Sequence, residues 1–431
     1  MNHLARLPAP VEPPPVGRRR RGARNGTFGV LDIGSTKVVC LIARVESDGE
    51  PRVLGFGWQR GRGVKNGNVV DLEEAERAIR AAVGQAEEMA DTQLRGAIVN
   101  LSCGQPDSRP LHIQWPIAGR AVTEADLRAI LNEGRRRIEE DGRETVHAVT
   151  LGFIVDATPG VDDPRGMVCE TLAARLHLVD AAQASLRNLG ACLLRCDLEI
   201  EELVSAPLAS GLATLVEDER QLGTVLVDMG GGTTSIAVFA EGHLVHTAQI
   251  PVGGVHVTND LASILSTPVA HAERMKTLHG SVHATSDDER EYLPVPLLGE
   301  DEHHIARVPR AMVVGIIRPR LEETLELVRD RIDAAGLGRE FGKRVVLTGG
   351  ASQLVGVREL AAEILGRQVR LGRPRSVRGL PEAASGPGFA TAIGLLAWGA
   401  GEGRPVLDIA PGPDRPQGMF RRLVNWLRER V

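Results

Sequence analysis

Lysine is almost absent from this chain: four of its 51 basic side chains are lysine (37, 65, 276 and 343) and the rest are arginine. The scarcity makes each position informative. Lys37, Lys65 and Lys276 fall in motifs described below, and Lys343 is left as a surface charge. Cysteine is also sparse, and its spacing argues against a metal-binding role. The five, at 40, 103, 169, 192 and 196, form no CxxC pair, and no second Cys/His pair joins Cys192 and Cys196 to complete a zinc set. An odd count without a signal peptide leads us to expect reduced thiols in a cytoplasm. No apolar run approaches the ~20 residues that span a bilayer. Excess basic charge is missing too: the net charge of −5 gives no global reason to expect nucleic acid as a partner.

What is present is a globular composition, 42% hydrophobic and 25% charged, over 431 residues, too long for one simple core, so two or more domains are expected. The stretch Val225 to Phe239, V-L-V-D-M-G-G-G-T-T-S-I-A-V-F, organises the reading. Val225-Leu226-Val227 reads as a buried strand and Ser235 to Phe239 as a second. Between them lie Asp228 and three glycines, whose missing Cβ atoms let backbone N–H groups close on an anion. A carboxylate cannot face phosphate directly, so Asp228 is expected to hold water around a phosphate-bound Mg²⁺. An ordinary Gly-rich hairpin would explain one such stretch. A second, Phe28 to Leu41 (F-G-V-L-D-I-G-S-T-K-V-V-C-L), repeats the device in the opposite half with Asp32 at its head. Two hairpins facing each other can clamp a nucleotide's phosphates from both sides.

Residues 1 to about 26 are rich in Pro and Arg and read as a disordered tail, with Arg18 to Arg21 either simply solvated or touching anionic lipid or nucleic acid. Leu72 to Met89 fits a helix with Ala75, Ile79, Ala82, Val83 and Ala86 on one face. Residues 97 to 180 read as an inserted module: short strands at Ala97–Val99 and His147–Leu151, a helix capped by Thr123 that closes near Glu139, and a turn-rich loop at 159–166. From Ala181 to Leu215 the pattern is largely helical, interrupted near Cys196 to Ile200. A polar stretch, Ser281 to Glu302, precedes a helix from about Pro309 to Ile332. Val345 to Gly350 is a strand ending in Gly-Gly, and 387–399 is a compact small-residue helix. Pro and Gly dominate 400–418, a linker composition.

The last thirteen residues are M-F-R-R-L-V-N-W-L-R-E-R-V. On a helical wheel Phe420, Leu423, Val424, Leu427 and Val431 share an arc of roughly 100°, with Trp426 at its border and Arg421, Arg422 and Arg428 on the polar side. Such a helix is ~20 Å long, too short for the ~30 Å hydrocarbon core. It suits either the membrane interface, with Trp at headgroup depth and Arg on anionic lipid, or the protein's own surface; the linker argues against the second.

Two D-x-G hairpins followed by a late T-G-G resemble the actin-like ATPase superfamily over residues 27 to 400. The resemblance implies an α/β, two-lobed fold of duplicated RNase H-like domains around a cleft for ATP and Mg²⁺. It implies a first phosphate loop of Asp32, Gly34, Ser35, Thr36 and Lys37, and a second of Asp228, Gly230, Gly231, Gly232, Thr233 and Thr234, with Asp32 and Asp228 on Mg²⁺ through water. Gly349, Gly350 and Ala351 look like the adenosine motif, while Glu273 and Lys276 are either ribose and adenine contacts or a solvated i, i+3 ion pair. Helices around Glu202–Gly211 and Gly388–Leu396 look like interlobe connectors. Glu202 falls where actin keeps the residue that positions the attacking water; the alternative is an acidic helix start beside Glu199 and Glu201.

Within that superfamily the chain resembles the FtsA family of bacterial cell-division proteins. The segment G-R-G-V-K-N-G-N-V-V-D (61–71) with Lys65, P-V-G-G-V-H-V-T-N-D-L (251–261) and V-V-L-T-G-G-A-S-Q-L (345–354) carry the likeness, together with the linker and terminal helix. The long basic N-terminal tail departs from the family. The likeness implies subdomain 1A at 27–96, 181–207 and 386–400, an FtsA-type 1C insertion at 97–180, 2A at 208–250 and 330–385, and 2B at 251–329. A linker at 401–418 and a membrane-targeting helix at 419–431 follow. It further implies tethering of FtsZ filaments to the cytoplasmic face of the inner membrane at the septum, actin-like self-assembly, recruitment of later divisome membrane proteins, and firm ATP binding with slow turnover at most. The FtsZ C-terminal peptide would dock on 2B, where Arg307 and Arg310 at the start of its last helix either meet that acidic peptide or are simply solvated. A PilM-like assembly protein, a metabolic kinase or a chaperone of the same fold are the alternatives.

Overall fold

Two five-stranded sheets share one strand order, and each is headed by one of the Asp-bearing turns. The structure is a computed structural model that describes residues 26–139, 142–300, 305–336 and 343–403. The Pro/Arg-rich tail, most of the linker and the expected amphipathic helix lie outside the described residues.

In the first lobe, strands Thr27–Ile33, Lys37–Val45 and Pro51–Arg60 form an antiparallel meander. Gly96–Leu101 then pairs parallel to Thr27–Ile33, and Glu199–Ser205 pairs parallel to Gly96–Leu101 at the edge. The second lobe repeats this with Thr224–Met229, Thr234–Ala240 and His243–Ile250, then Arg344–Thr348 and the edge strand Gln368–Leu371. Both sheets therefore run third, second, first, fourth, fifth. Their first strands are buried on both faces, as their unbroken apolar runs require.

Helix Leu72–Ala90 covers one face of the first sheet. The Asp71 carboxylate caps it by accepting the Glu73 and Glu74 N–H groups at 3.0 Å each, and the expected stripe from Ala75 to Ala86 is buried. The helix lies almost on the strand beneath it: a Cβ on Gly57 would stand 1.8 Å from the Ala82 carbonyl oxygen.

Three expectations change here. Ala97–Val99 belongs to the fourth strand of the first sheet, and not to the inserted module; its six-residue strand is wholly buried, the environment of a central parallel strand. The module's own sheet is Asp107–Ala121, Val168–Ala182, Arg143–Val155 and Thr158–Val161 in that order, so part of the expected 159–166 loop is strand. Helix Glu124–Glu139 packs on it. At the module's root the buried Asp180 carboxylate takes Arg109 at 2.8 Å and also Arg143. The third change concerns the segment before the first connector. Glu199–Ser205 is a strand and the helix starts only at Ala206, with Pro207 in its first turn, where a missing N–H costs nothing.

The connector helices Ala206–Thr214 and Ala390–Gly399 cross between the lobes, buried along nearly their whole length. Around them a core containing Phe28, Phe239, Leu395, Leu396 and Trp398 joins the two sheets. Their backbones touch: a Cβ on Gly394 would stand 1.7 Å from the Ala209 carbonyl oxygen. The second lobe carries its own insertion, helices Gly254–Ile264 and Val269–His279, the hairpin Tyr292–Pro296 with Ile305–Pro309, and helix Arg310–Ala334.

Candidate functional site

Each Asp-bearing turn closes with the same bond, Gly34 N–H to the Lys37 carbonyl and Gly230 N–H to the Thr233 carbonyl, both 2.9 Å. The two tips meet across the cleft. A Cβ on Gly231 would lie 2.6 Å from the Thr36 hydroxyl oxygen, and one on Gly232 would lie 2.3 Å from that of Ser35. The glycines of the second turn are thus dictated by the hydroxyl side chains of the first. Asn100, from the neighbouring strand, accepts the Ile33 N–H at 2.8 Å and fixes the base of the first turn.

Between the lobes lies a cleft of about 890 Å³. Asp32, Gly34, Ser35, Thr36 and Lys37 line one side, and Asp228, Gly230 to Thr233, Glu273, Lys276, Gly349, Gly350 and Ala351 line the other. All of the expected nucleotide contacts except Thr234 face this one space. Thr234 is buried, and its hydroxyl donates to the Val252 carbonyl at 2.8 Å.

At the floor stand two carboxylates and one ammonium. Burial pushes the Asp32 carboxyl up to about 6; Lys37 pulls it back and Asp228 raises it further. Asp228 is raised by burial too, with Ser210, Lys37 and Thr391 acting against it. Burial lowers the Lys37 ammonium, the two aspartates opposing that effect. Its Nζ lies 4.0 Å over the Phe389 ring. An unfolded Asp titrates near 3.8, so from about pH 4 to 6 the folded state holds more protons than the unfolded one, and stability falls as pH rises through that window. We expect the melting temperature of the nucleotide-free chain to gain on that of Asp32→Asn as the pH is lowered from about 7 to about 5. Parallel melting curves across that range would show that Asp32 is an ordinary surface-like carboxylate.

Two partners of Asp228 come from the connector helices and carry no motif. Ser210 donates to Asp228 Oδ2 and Thr391 lies 3.3 Å from the same oxygen, with 2.9 Å between the two hydroxyls. The only trace in the sequence is a hydroxyl between small residues, Ala209-Ser210-Gly211 and Ala390-Thr391-Ala392.

On the far side of the cleft, Lys276 Nζ donates to Glu273 Oε2 at 2.7 Å, to the Thr258 hydroxyl at 2.8 Å and to the Gly254 carbonyl at 3.0 Å. The i, i+3 ion pair is formed, and the lysine is largely buried rather than solvated. Burial raises the Glu273 carboxyl, and Lys276 with the Thr258 hydroxyl more than offsets that, leaving it below its ordinary value. All three ammonium protons have acceptors, so the cleft presents a pre-set Glu–Lys–Thr group. Gly349 closes the turn after Arg344–Thr348 at φ +86°, where a Cβ would stand 2.4 Å from Asp228 Oδ1.

Of three other expected residues, Glu202 and Arg307 lie elsewhere and Arg310 lines the cleft. Glu202 sits on the edge strand, paired with Ile98, and does not line the cleft; from its neighbourhood Ala206 does. Arg307 is exposed on the hairpin strand Ile305–Pro309, and is not part of the helix. Arg310 opens the helix as expected, but it is held by Asp288 at 3.1 Å and Glu291 at 3.2 Å, and it lines the cleft. Phe420, Leu423, Val424, Trp426, Leu427 and Val431 lie outside the described residues.

The family model "Cell division protein FtsA" matches residues 225–394, and "SHS2 domain inserted in FTSA" matches 104–180, beginning after the strand Gly96–Leu101. The chain is 44% identical over 426 residues to the cell division protein FtsA of Rhizobium meliloti (strain 1021), covering 94% of this chain and 95% of that one. To that of Escherichia coli (strain K12) it is 33% identical over 415 residues, covering 93% and 97%. Among solved structures it resembles the PilM–PilN type IV pilus biogenesis complex, with a TM-score of 0.63 at 17% identity over 86% of this chain and 98% of that one. MreB 5 of Spiroplasma citri bound to AMPPNP gives 0.50 at 14%, over 86% and 95%. At such identities these two speak for the fold alone, and that fold is the actin-like one. A shared two-lobed architecture, an insertion of the matching kind and identity along nearly the whole length lead to one conclusion: the chain belongs to the FtsA family of cell-division proteins.

Proposed function

We propose that this chain binds ATP with Mg²⁺ between its lobes, assembles into actin-like filaments, and ties FtsZ filaments to the cytoplasmic face of the inner membrane at the septum, where it helps recruit later divisome membrane proteins. The observation that carries the nucleotide reading is the contact between the two turns, Thr36 and Ser35 against Gly231 and Gly232, which sets both glycine-bearing turns and Lys37 on one cleft. Asp32 and Asp228 outnumber Lys37 at the floor, so a bare triphosphate meets net negative charge there. Mg²⁺ supplies the missing positive charge when bound. Among the described residues no three His, Cys, Asp or Glu side chains are gathered to hold a metal directly. The two carboxylates would hold the ion through its water, and the phosphates would supply direct ligands.

For the partner, the exposed Arg307 on the second-lobe hairpin remains the candidate for the acidic FtsZ C-terminal peptide, since Arg310 is committed to Asp288 and Glu291. For the membrane, the apolar arc of Phe420, Leu423, Val424, Leu427 and Val431, with Trp426 at its border, provides an interfacial helix. One such helix binds marginally, and many copies joined in a filament multiply residence without a new contact. Nucleotide binding enters by favouring the filament-competent arrangement of the lobes.

Co-sedimentation with anionic liposomes tests the proposal. The full chain is expected to pellet, more so with ATP, and to bring FtsZ down with it. The chain lacking residues 419–431 is expected to stay in the supernatant under every condition. Equal pelleting of the two would end the tether reading.

A further inference from the structure

Among the described residues, Asp228 is the one cleft carboxylate whose partners come from both connector helices. Ser210 stands in the middle of Ala206–Thr214 and is fully buried; Thr391 is the second residue of Ala390–Gly399. Both hydroxyls converge on Oδ2. A hydroxyl has one proton to give. Ser210 gives its own to Asp228, and the Thr391 proton goes either to the same carboxylate oxygen or to the Ser210 oxygen 2.9 Å away. In the first case both protons serve Oδ2, and in the second Thr391 holds the Ser210 hydroxyl that does; Oδ1 is left on the side of the Gly349 turn, where a Cβ would crowd it at 2.4 Å. The carboxylate is thereby held in one rotation.

The two hydroxyls come from different helices and meet where those helices cross. That crossing is a backbone contact at Gly394 and Ala209, the residue preceding Ser210. Sliding or parting the helices pulls Thr391 from Ser210 and releases Oδ2. We propose that Ser210 and Thr391 are positioning residues that hold the Asp228 carboxylate for magnesium-bound water, so that metal occupancy and the crossing of the connector helices are linked. Linkage is reciprocal: a crossing that favours the ion is favoured by the ion in the same measure. The two lobes, joined through these helices, then sense the ion through two hydroxyl groups. This inference rests on the ATP–Mg²⁺ reading above.

The test measures fluorescent ATP-analogue affinity against Mg²⁺ concentration, and again in excess chelator, for the full chain and for Ser210→Ala, Thr391→Val, Thr391→Ser and the double variant. Groups that orient metal-holding side chains typically change metal affinity about 10–100-fold when removed. We expect the half-saturating Mg²⁺ concentration to rise about tenfold in Ser210→Ala and in Thr391→Val. The double variant should lose less than the product of the two, because both act on one oxygen. Thr391→Ser should match the parent, and affinity in chelator should be the same for all. Backbone amide exchange in Ala206–Thr214 should slow with Mg²⁺–nucleotide in the parent and not in the variants. Unchanged Mg²⁺ dependence in folded variants overturns the proposal, as does an equal loss with and without Mg²⁺. Should Ser210→Ala fail to fold, Thr391→Val alone decides. A parent chain whose nucleotide binding ignores Mg²⁺ removes the underlying reading instead, a result distinct from variant indifference.

Discussion

Lys37→Met is expected to weaken Mg²⁺–ATP binding by roughly 10- to 150-fold, the loss of a charge-assisted hydrogen bond of about 1.5–3 kcal/mol. Three cationic side chains line the cleft among the described residues, and two are committed: Lys276 to Glu273, Thr258 and Gly254, and Arg310 to Asp288 and Glu291. Lys37 alone stands between the two floor carboxylates, with its charge over the Phe389 ring. Methionine keeps the length and the contact with Phe389 and deletes only the charge. Arginine should not rescue. The nearest atom to a Cβ built on Gly388 is Lys37 Nζ, at 3.1 Å, so a larger guanidinium head meets the 386–389 turn. Isothermal titration in Mg²⁺ decides, and affinity retained in Lys37→Met would place the phosphates elsewhere.

The floor of this site was largely legible beforehand, because a D-x-G turn between apolar strands is a local signature and Asp32 and Lys37 are five residues apart. Ser210 and Thr391 were not. They lie 18 and 163 residues from Asp228 and reach it only through a helix crossing that no local pattern encodes. Glu202 misled for a different reason. The pairing of Glu199–Ser205 with Gly96–Leu101 slips between Ile200 and Glu202, a bulge that breaks the alternation by which a strand is recognised, so the acidic run read as a helix start. Ala97–Val99 is legible as a strand, but the sheet it joins is not. A short apolar run states that it is buried without stating against what. The Glu273–Lys276 spacing announced an ion pair, and the burial that makes it a fixed wall of the cleft came from Thr258 and Gly254 on the preceding helix.

Gly394→Val carries the largest expected structural effect. Its Cβ would stand 1.7 Å from the Ala209 carbonyl oxygen and 2.2 Å from the carbonyl carbon, atoms of another helix backbone that cannot turn aside as a side chain does. Overpacking in a core costs about 1–3 kcal/mol where side chains can adjust, and here the helices themselves must separate. They are wrapped by the core that joins both sheets, so the damage reaches both lobes. We expect the variant to be recovered mostly as misfolded protein, or with a melting temperature lowered by several degrees, at ~2–4 °C per kcal/mol. Gly315, on the second-lobe helix Arg310–Ala334, has open space where its Cβ would be and provides the control: Gly315→Ala should fold normally. A normally stable Gly394→Val would mean that the two helices are not packed backbone to backbone.

Duplication would by itself give a cleft with two equivalent walls, in which an elongated ligand could enter either way round. The walls differ at their tips. One presents Ser35, Thr36 and Lys37, and the other presents Gly231 and Gly232, bare because those hydroxyls fill the space their side chains would need. The shared strand order supplies a symmetric frame, and steric exclusion between the two turns gives it a polarity. Under the proposed function a bound nucleotide would have one reading direction, and a filament of such subunits would carry its ligand in a consistent orientation along its length.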